Sequence, residues 1–222
     1  MNVEQARFNM VEQQIRPAGV LDERVLNLLL VLRREAFVPP AHRDLAFADM
    51  ELPLRDAEVA LKKGQVMLAP KVEARILQDV DVQKTDKVLE VGTGSGYMAA
   101  LLASRASHVI SLEIDAELVA LAKDNLQRAG IGNVEVRQAD GAVPPLDGPF
   151  DVIVLSGSMA EVPQAYLDAL KPGGRLMAIV GVAPVMRGTL VRRTASGFET
   201  TQPWDTNAPR LQHFPEAAVF EF

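Results

Sequence analysis

Two rhythms of apolar and polar residues divide the chain near residue 80. Before it, apolar positions recur at helical spacing. Residues 2–15 carry Phe8, Met10, Val11 and Ile15 as contacts, and Arg16-Pro17-Ala18-Gly19 breaks that helix. Asp22 is placed to cap a second helix, Glu23 to about Arg34, with Val25, Leu26, Leu28, Leu29 and Leu32 turned inward. Phe37-Val38-Pro39-Pro40 ends it. Residues 46–54 are too proline-broken for regular structure, and helical spacing returns over 69–79 through Val72, Ile76 and Leu77.

From Asp86 the rhythm becomes strand and helix in turn. Short apolar runs at Val88–Val91, Val109–Glu113, Val134–Gln138, Phe150–Leu155 and Arg175–Val180 predict strands. Between them, helices are expected from Tyr97 through Ala103, from Ala116 to Ala129 behind an Asp115 cap, and from Val162 to Leu170, the last closed by Lys171-Pro172-Gly173-Gly174. This alternation predicts a doubly wound α/β fold, a parallel sheet with helices on both faces. After Gly181 the pattern changes to a hairpin, residues 189–193 and 198–201 around a Ser196-Gly197 turn, and Ala217–Phe222 reads as a last strand. The expected organisation is a helical segment, 1–80, packed on a Rossmann-like core, 81–222, in one compact domain.

The chemistry-bearing stretch is Glu90-Val91-Gly92-Thr93-Gly94-Ser95-Gly96-Tyr97, a strand entering a glycine bend from which a helix opens. Such a bend presents backbone N–H groups to a nucleotide-like ligand, and glycine lets the backbone approach it closely. A dinucleotide fingerprint needs glycines at positions one, three and six. Counted from Gly92, position six is Tyr97, and the third glycine comes one residue early, at Gly96. With Glu90 two residues ahead, the pattern resembles the first motif of class I S-adenosylmethionine-dependent methyltransferases. That ligand has no phosphate and carries a cationic sulfur, so a nearby carboxylate suits it.

Two further strand ends carry matching groups. Glu113, followed by Ile114, stands where a carboxylate can take both hydroxyls of a ribose. Asp140-Gly141 stands where one can accept from the adenine amine. The candidate cofactor-binding set is therefore Glu90, Gly92, Thr93, Gly94, Ser95, Gly96, Glu113, Ile114, Asp140 and Gly141. Glu113 alone does not separate S-adenosylmethionine from a nicotinamide cofactor, since both contain a ribose.

Composition narrows the setting. The 222 residues hold 23 Lys and Arg against 29 Asp and Glu, a net charge of −6, and no cysteine. Disulfides, thiolate catalysis and cysteine metal sites are excluded. An acidic chain is a poor nucleic-acid binder, because that affinity rests on neutralising phosphates. The polar Met1–Gln14 stretch does not read as a signal peptide, no apolar run reaches membrane-spanning length, and a cytoplasmic location is the default expectation. His42, His108 and His213 are expected to be surface or packing residues.

Beyond the glycine bend, ordered motifs run from about residue 7 to 181. They include Met10-Val11-Glu12-Gln13-Gln14-Ile15, Arg34-Glu35-x-Phe37-Val38-Pro39, Gly64-Gln65 followed by Ala69-Pro70, and Leu170-Lys171-Pro172-Gly173-Gly174. Together they resemble the protein-L-isoaspartate O-methyltransferase family. The resemblance implies S-adenosylmethionine as cofactor and the carboxylate of isoaspartyl residues in damaged proteins as methyl acceptor. It also implies an acceptor side built on Gln65, Val66 and Leu68, and a loop after the fourth strand that is usually Thr-Ala-Ala in the family and reads Ser156-Gly157-Ser158 in this chain. Here the sequence departs from the family, whose Thr-Ile-Ser is replaced by Val66-Met67-Leu68, so two hydroxyls become hydrocarbon. Ser156 and Ser158 are candidates to replace them. The departure leaves open a same-fold methyltransferase with another carboxyl or hydroxyl acceptor, or a protein that binds S-adenosylmethionine without turnover.

Overall fold

The computed structural model describes residues 2–216. Helix α1 (Val3–Met10) starts where the Asn2 side chain accepts from the Gln5 N–H, and runs on through a wider turn, Val11–Ile15. Helix α2 (Glu23–Val31) is capped by Asp22 as expected but stops three residues short of Arg34. The chain turns extended at Leu32 so that Arg34 can point inward, fully buried. A two-residue strand β1 (Leu52–Pro53) pairs with β2 (Val66–Met67), giving regular structure to the end of the stretch read as proline-broken. Between them lies α3 (Ala57–Lys63), capped by Asp56 and ended by the left-handed Gly64, followed after β2 by α4 (Pro70–Val80).

The core follows as β3 (Lys87–Val91), α5 (Tyr97–Ala103), β4 (His108–Glu113), α6 (Ala116–Arg128), β5 (Val134–Gln138), β6 (Phe150–Met159), α7 (Gln164–Asp168) and β7 (Leu170–Val182). The antiparallel pair β8 (Val185–Thr194) and β9 (Gly197–Thr206) completes one seven-stranded sheet in the order β5-β4-β3-β6-β7-β8-β9. β3 to β7 are parallel, as the alternating pattern predicts. Alternate residues of the central strands feed two apolar layers. Val88, Val152 and Val154 pack against the N-terminal helices, α4, α5 and α6, while Leu89, Ile153 and Leu155 pack toward Tyr166 of α7.

Three boundaries differ from the sequence pattern. β7 begins at Leu170, so Lys171-Pro172-Gly173-Gly174 enters the sheet rather than following a helix, and α7 is only five residues long. Thr194 pairs with Gly197, which places the hairpin turn at Ala195-Ser196, one residue earlier than expected. β6 runs past Leu155 to Met159, with a register shift between Val154 and Ser158. That bulge takes Leu155-Ser156-Gly157 out of the pairing with β7, while Leu155 still pairs with Val91 of β3; bulges of this kind commonly aim side chains into a site. The strand expected at Ala217–Phe222 lies outside the described residues.

Candidate active site

The chain leaves β3 toward β4 on one side and returns to β6 on the other, so the switch point of the sheet lies between the carboxyl ends of β3 and β6. A cleft opens there, at the usual place for a ligand in such a sheet. One wall is the glycine bend, with Gly92 and Gly94. Gly92 holds φ +92°, and the Ser156 carbonyl would lie 3.3 Å from any Cβ at that position.

The second strand end contributes Glu113 and Ile114 to the cleft. Glu113 is nearly buried. Its Oε2 accepts from the Gly94 N–H at 2.9 Å and its Oε1 from the Asp115 N–H at 3.1 Å. Burial pushes this carboxyl above its ordinary range against those backbone donors. The third end contributes Asp140 and Gly141. Gly141 lies so close to the sheet that a Cβ there would be 2.2 Å from Val91 Cγ1, and its carbonyl accepts from the Tyr166 hydroxyl at 2.5 Å. Asp140 Oδ2 is 2.7 Å from His213 Nδ1, an arrangement that holds the carboxyl below its ordinary value. His213 therefore has a partner that its sequence neighbours do not announce.

Not every expected residue reaches the cleft. Glu90, Thr93, Ser95 and Gly96 are absent from its lining. Glu90 is completely buried beneath it, with Oε2 accepting from Ser111 Oγ at 2.6 Å and Oε1 from Ser156 Oγ at 3.0 Å. Burial outweighs these donors and pushes the carboxyl up to about 8. Ser156, which does line the cleft, stands between Glu90 and the space. Thr93 Oγ1 lies 2.6 Å from Ser111 Oγ and extends the same polar cluster, and the Ser95 carbonyl accepts from Asn125. Gly96 starts α5 and rests 3.3 Å, measured from an ideal Cβ, from Ala122 of α6.

The opposite wall is Gln65, Val66 and Leu68. Gln65 Nε2 donates to Asp115 Oδ2 at 2.9 Å, while its Oε1 is buried without a partner among the described residues. Asp115 also caps α6 and pairs with Arg55, so a single carboxylate ties the acceptor-side segment to the core. Beneath Leu68, the buried Arg34 donates to the carbonyls of Leu68 (2.7 Å) and Ala46 (3.0 Å), pairs with Glu73, and lies over the Tyr97 ring. The backbone of this wall is thus pinned by a residue 34 positions earlier.

The roof is the tail after β9, which the sequence did not place in the site. Ser158 does not present its hydroxyl to the cleft. It is fully buried, and its Oγ donates to the Ala208 carbonyl at 2.8 Å. Its N–H donates to the Pro209 carbonyl and its own carbonyl accepts from the Leu211 N–H, so the tail runs parallel to β6. This brings Arg210, Leu211 and Phe214 over the cleft, with Leu211 against Gly92 and Gly157, and Phe214 stacked on Tyr166. No periodic pattern marks residues 207–214. The weak signals are a lone proline, an arginine and an aromatic. Trp204 lies elsewhere, donating to Asp79 and facing Arg75. Among the described residues no group of three or more His, Asp or Glu side chains could hold a metal, and no helix is long and apolar enough to cross a membrane.

Comparison with known proteins agrees with this architecture. The family model for protein-L-isoaspartate(D-aspartate) O-methyltransferase matches residues 5–202. The protein-L-isoaspartate O-methyltransferase of Koribacter versatilis is 38% identical over 197 residues, covering 88% of this chain and 86% of its own length. Its namesake in Methanoculleus marisnigri is 41% identical over 177 residues, with 79% and 77% covered. Among solved structures, a candidate protein-L-isoaspartate O-methyltransferase from Plasmodium falciparum, crystallised with S-adenosyl-L-homocysteine, superposes with a TM-score of 0.77. It covers 93% of this chain and 98% of its own, and at 19% identity it speaks for the fold alone. On the extent of the family match and the identity of these relatives, the chain belongs to the protein-L-isoaspartate(D-aspartate) O-methyltransferase family.

Proposed function

We propose that this chain methylates the free carboxylate of L-isoaspartyl residues in damaged proteins, with S-adenosylmethionine as donor, a step that starts their repair. The observation that carries this reading is one cleft shared by two halves. The glycine bend and the Glu113 and Asp140 strand ends lie on one side and Gln65-Val66-Leu68 on the other, in a chain whose relatives bear that activity as their name.

The residues present fit the cofactor. Glu113 lines the cleft with lone pairs to spare on both oxygens after accepting one backbone N–H each, which suits ribose hydroxyls. Leu112, Ile114 and Ala139 give an apolar slot for a flat ring, and Asp140 stands at its edge. The backbone of Gly92 and Gly94 accommodates the amino-acid end, with the Ser156 side chain beside it. When bound, S-adenosylmethionine supplies an electrophilic methyl group on a cationic sulfur.

The protein's own share is positioning. A carboxylate is ionised at neutral pH, so the acceptor needs no general base. What remains is to hold its oxygen in line with the methyl carbon and sulfur and to keep water out. Gln65 Oε1, buried and unpartnered among the described residues, is available to accept an N–H of the substrate backbone. Leu68 supplies no hydroxyl to the acceptor, and Val66 none either. A hydrogen bond to a charged group is worth about 1.5–3 kcal/mol, so turnover by this chain is expected to lie roughly ten- to a hundredfold below that of a hydroxyl-bearing site. Action in the cytoplasm, on isoaspartyl proteins and not on nucleic acid, belongs to the same reading and agrees with the net charge of −6.

The test is transfer of labelled methyl from S-adenosylmethionine to an isoaspartyl peptide, with the aspartyl isomer as control. Label above the control supports the assignment. A folded protein that binds S-adenosylhomocysteine yet labels both peptides equally refutes it.

A further inference from the structure

Arg210 enters the cleft from the tail, and its guanidinium is incompletely satisfied. Its Nη1 is buried with no hydrogen-bond partner among the described residues. Among the described residues its Nη2 has only a long contact, 3.5 Å, to Glu216, a largely exposed carboxylate. The segment is nonetheless held firmly, because the backbone on either side of Arg210 is tied to both the N–H and the carbonyl of Ser158. Arg210 lines the same cleft as Val66 and Leu68, where the wall has no hydroxyl to offer. A buried N–H without an acceptor is costly, and a guanidinium on a residue that lines a cleft for carboxylates has an obvious acceptor.

We infer that Arg210 grips the carboxylate of the methyl acceptor. This deepens the isoaspartyl reading and rests on it. In the ionised substrate, Nη1 donates to one carboxylate oxygen and leaves the other free to attack. That oxygen forms the new bond to the methyl carbon, the methyl–sulfur bond breaks, and its electron pair stays on sulfur, which becomes neutral. No proton moves, and Arg210 stays charged throughout. The product is an uncharged ester, so the charge-assisted hydrogen bond that favoured the acid is lost once transfer is complete. The same contact therefore selects ionised acceptors and weakens the hold on product. It replaces, from the roof of the cleft, the contact that Leu68 cannot make from its wall.

Arg210 is then a specificity residue, and a merely structural role gives different results. The probes are an isoaspartyl peptide and the same peptide with its free carboxylate converted to the carboxamide, titrated by fluorescence anisotropy into protein saturated with S-adenosylhomocysteine. The natural chain is expected to prefer the acid by about tenfold or more, the scale of one hydrogen bond to a charged group. Arg210→Met and Arg210→Gln are expected to bring that preference below about twofold and to raise the peptide KM while the S-adenosylmethionine KM holds, whereas Arg210→Lys keeps part of the preference. Glu216→Gln is expected to preserve it in full. Thermal melts show whether each variant is folded, and two neutralising variants guard against the loss of one. The proposal is overturned if the natural chain binds acid and amide alike, or if the neutral variants keep the preference. Methyl transfer by the natural chain with an unchanged preference in the variants removes Arg210's role and leaves the activity standing. No transfer by the natural chain to the isoaspartyl peptide removes the activity, and this role falls with it.

Discussion

At position 68 a buried leucine lines the cleft where the family resemblance leads one to expect a hydroxyl. Leu68→Ser is expected to raise kcat/KM on an isoaspartyl peptide by roughly ten- to a hundredfold, one hydrogen bond to a charged group. It also removes buried hydrocarbon, so a melting experiment is expected to show a loss of about 2–5 kcal/mol. An unchanged rate from a folded variant would show that the hydroxyl has no partner here. Gly141 makes the opposite demand, for no side chain at all. Gly141→Ala sets a Cβ 2.2 Å from Val91 Cγ1, so the strand end must move. The expected cost is about 1–3 kcal/mol of stability, with weaker S-adenosylhomocysteine binding measured by calorimetry. Arg210 belongs to the same scale, with one buried N–H that has no acceptor among the described residues.

Between elements, the joint that matters is the one beneath residues 66–69. Arg34 comes from the turn after α2, Glu73 from α4, and the carbonyl of Leu68 from the cleft wall, and all three meet out of contact with water. Removing one partner of such a buried pair leaves the other uncompensated. Arg34→Met is therefore expected to destabilise the fold by about 3–5 kcal/mol in urea titration. It is also expected to loosen Leu68, seen as a higher peptide KM. The double variant Arg34→Met with Glu73→Gln is expected to recover much of the stability, because no buried charge is left alone. If the single variant unfolds at the same urea concentration as the natural chain, the pair is not what holds this wall.

At the scale of the molecule, two buried carboxyls set how stability follows pH. Burial pushes Glu90 up to about 8 and Glu73 up to about 7, the latter despite the pull of Arg34. A freely exposed glutamate titrates near 4.5. An acid raised on folding favours the native state while it stays protonated there, and that advantage is full below about 4.5 and gone once pH passes the folded value. Stability of the ligand-free protein is thus expected to fall by a few kcal/mol, in order of magnitude, between about pH 5 and pH 8.5. Glu90→Gln is expected to flatten that slope, and urea midpoints at the two pH values check it. The strand, glycine bend and helix, the parallel sheet, and the acidic residues at three strand ends were determined by sequence alone. Those signals are local, resting on apolar period, caps such as Asp22 and Asp115, and glycine spacing. Which side chains meet was decided only by the tertiary structure. Glu90 turns under Ser111 and Ser156 rather than into the cleft, Ser158 holds the tail, Asp140 finds His213, and Arg210 arrives over Gly64. Ser158 and Ala208 are 50 positions apart, and Asp140 and His213 are 73 apart. Such partnerships depend on how packed layers stack, and no periodicity along the chain records that.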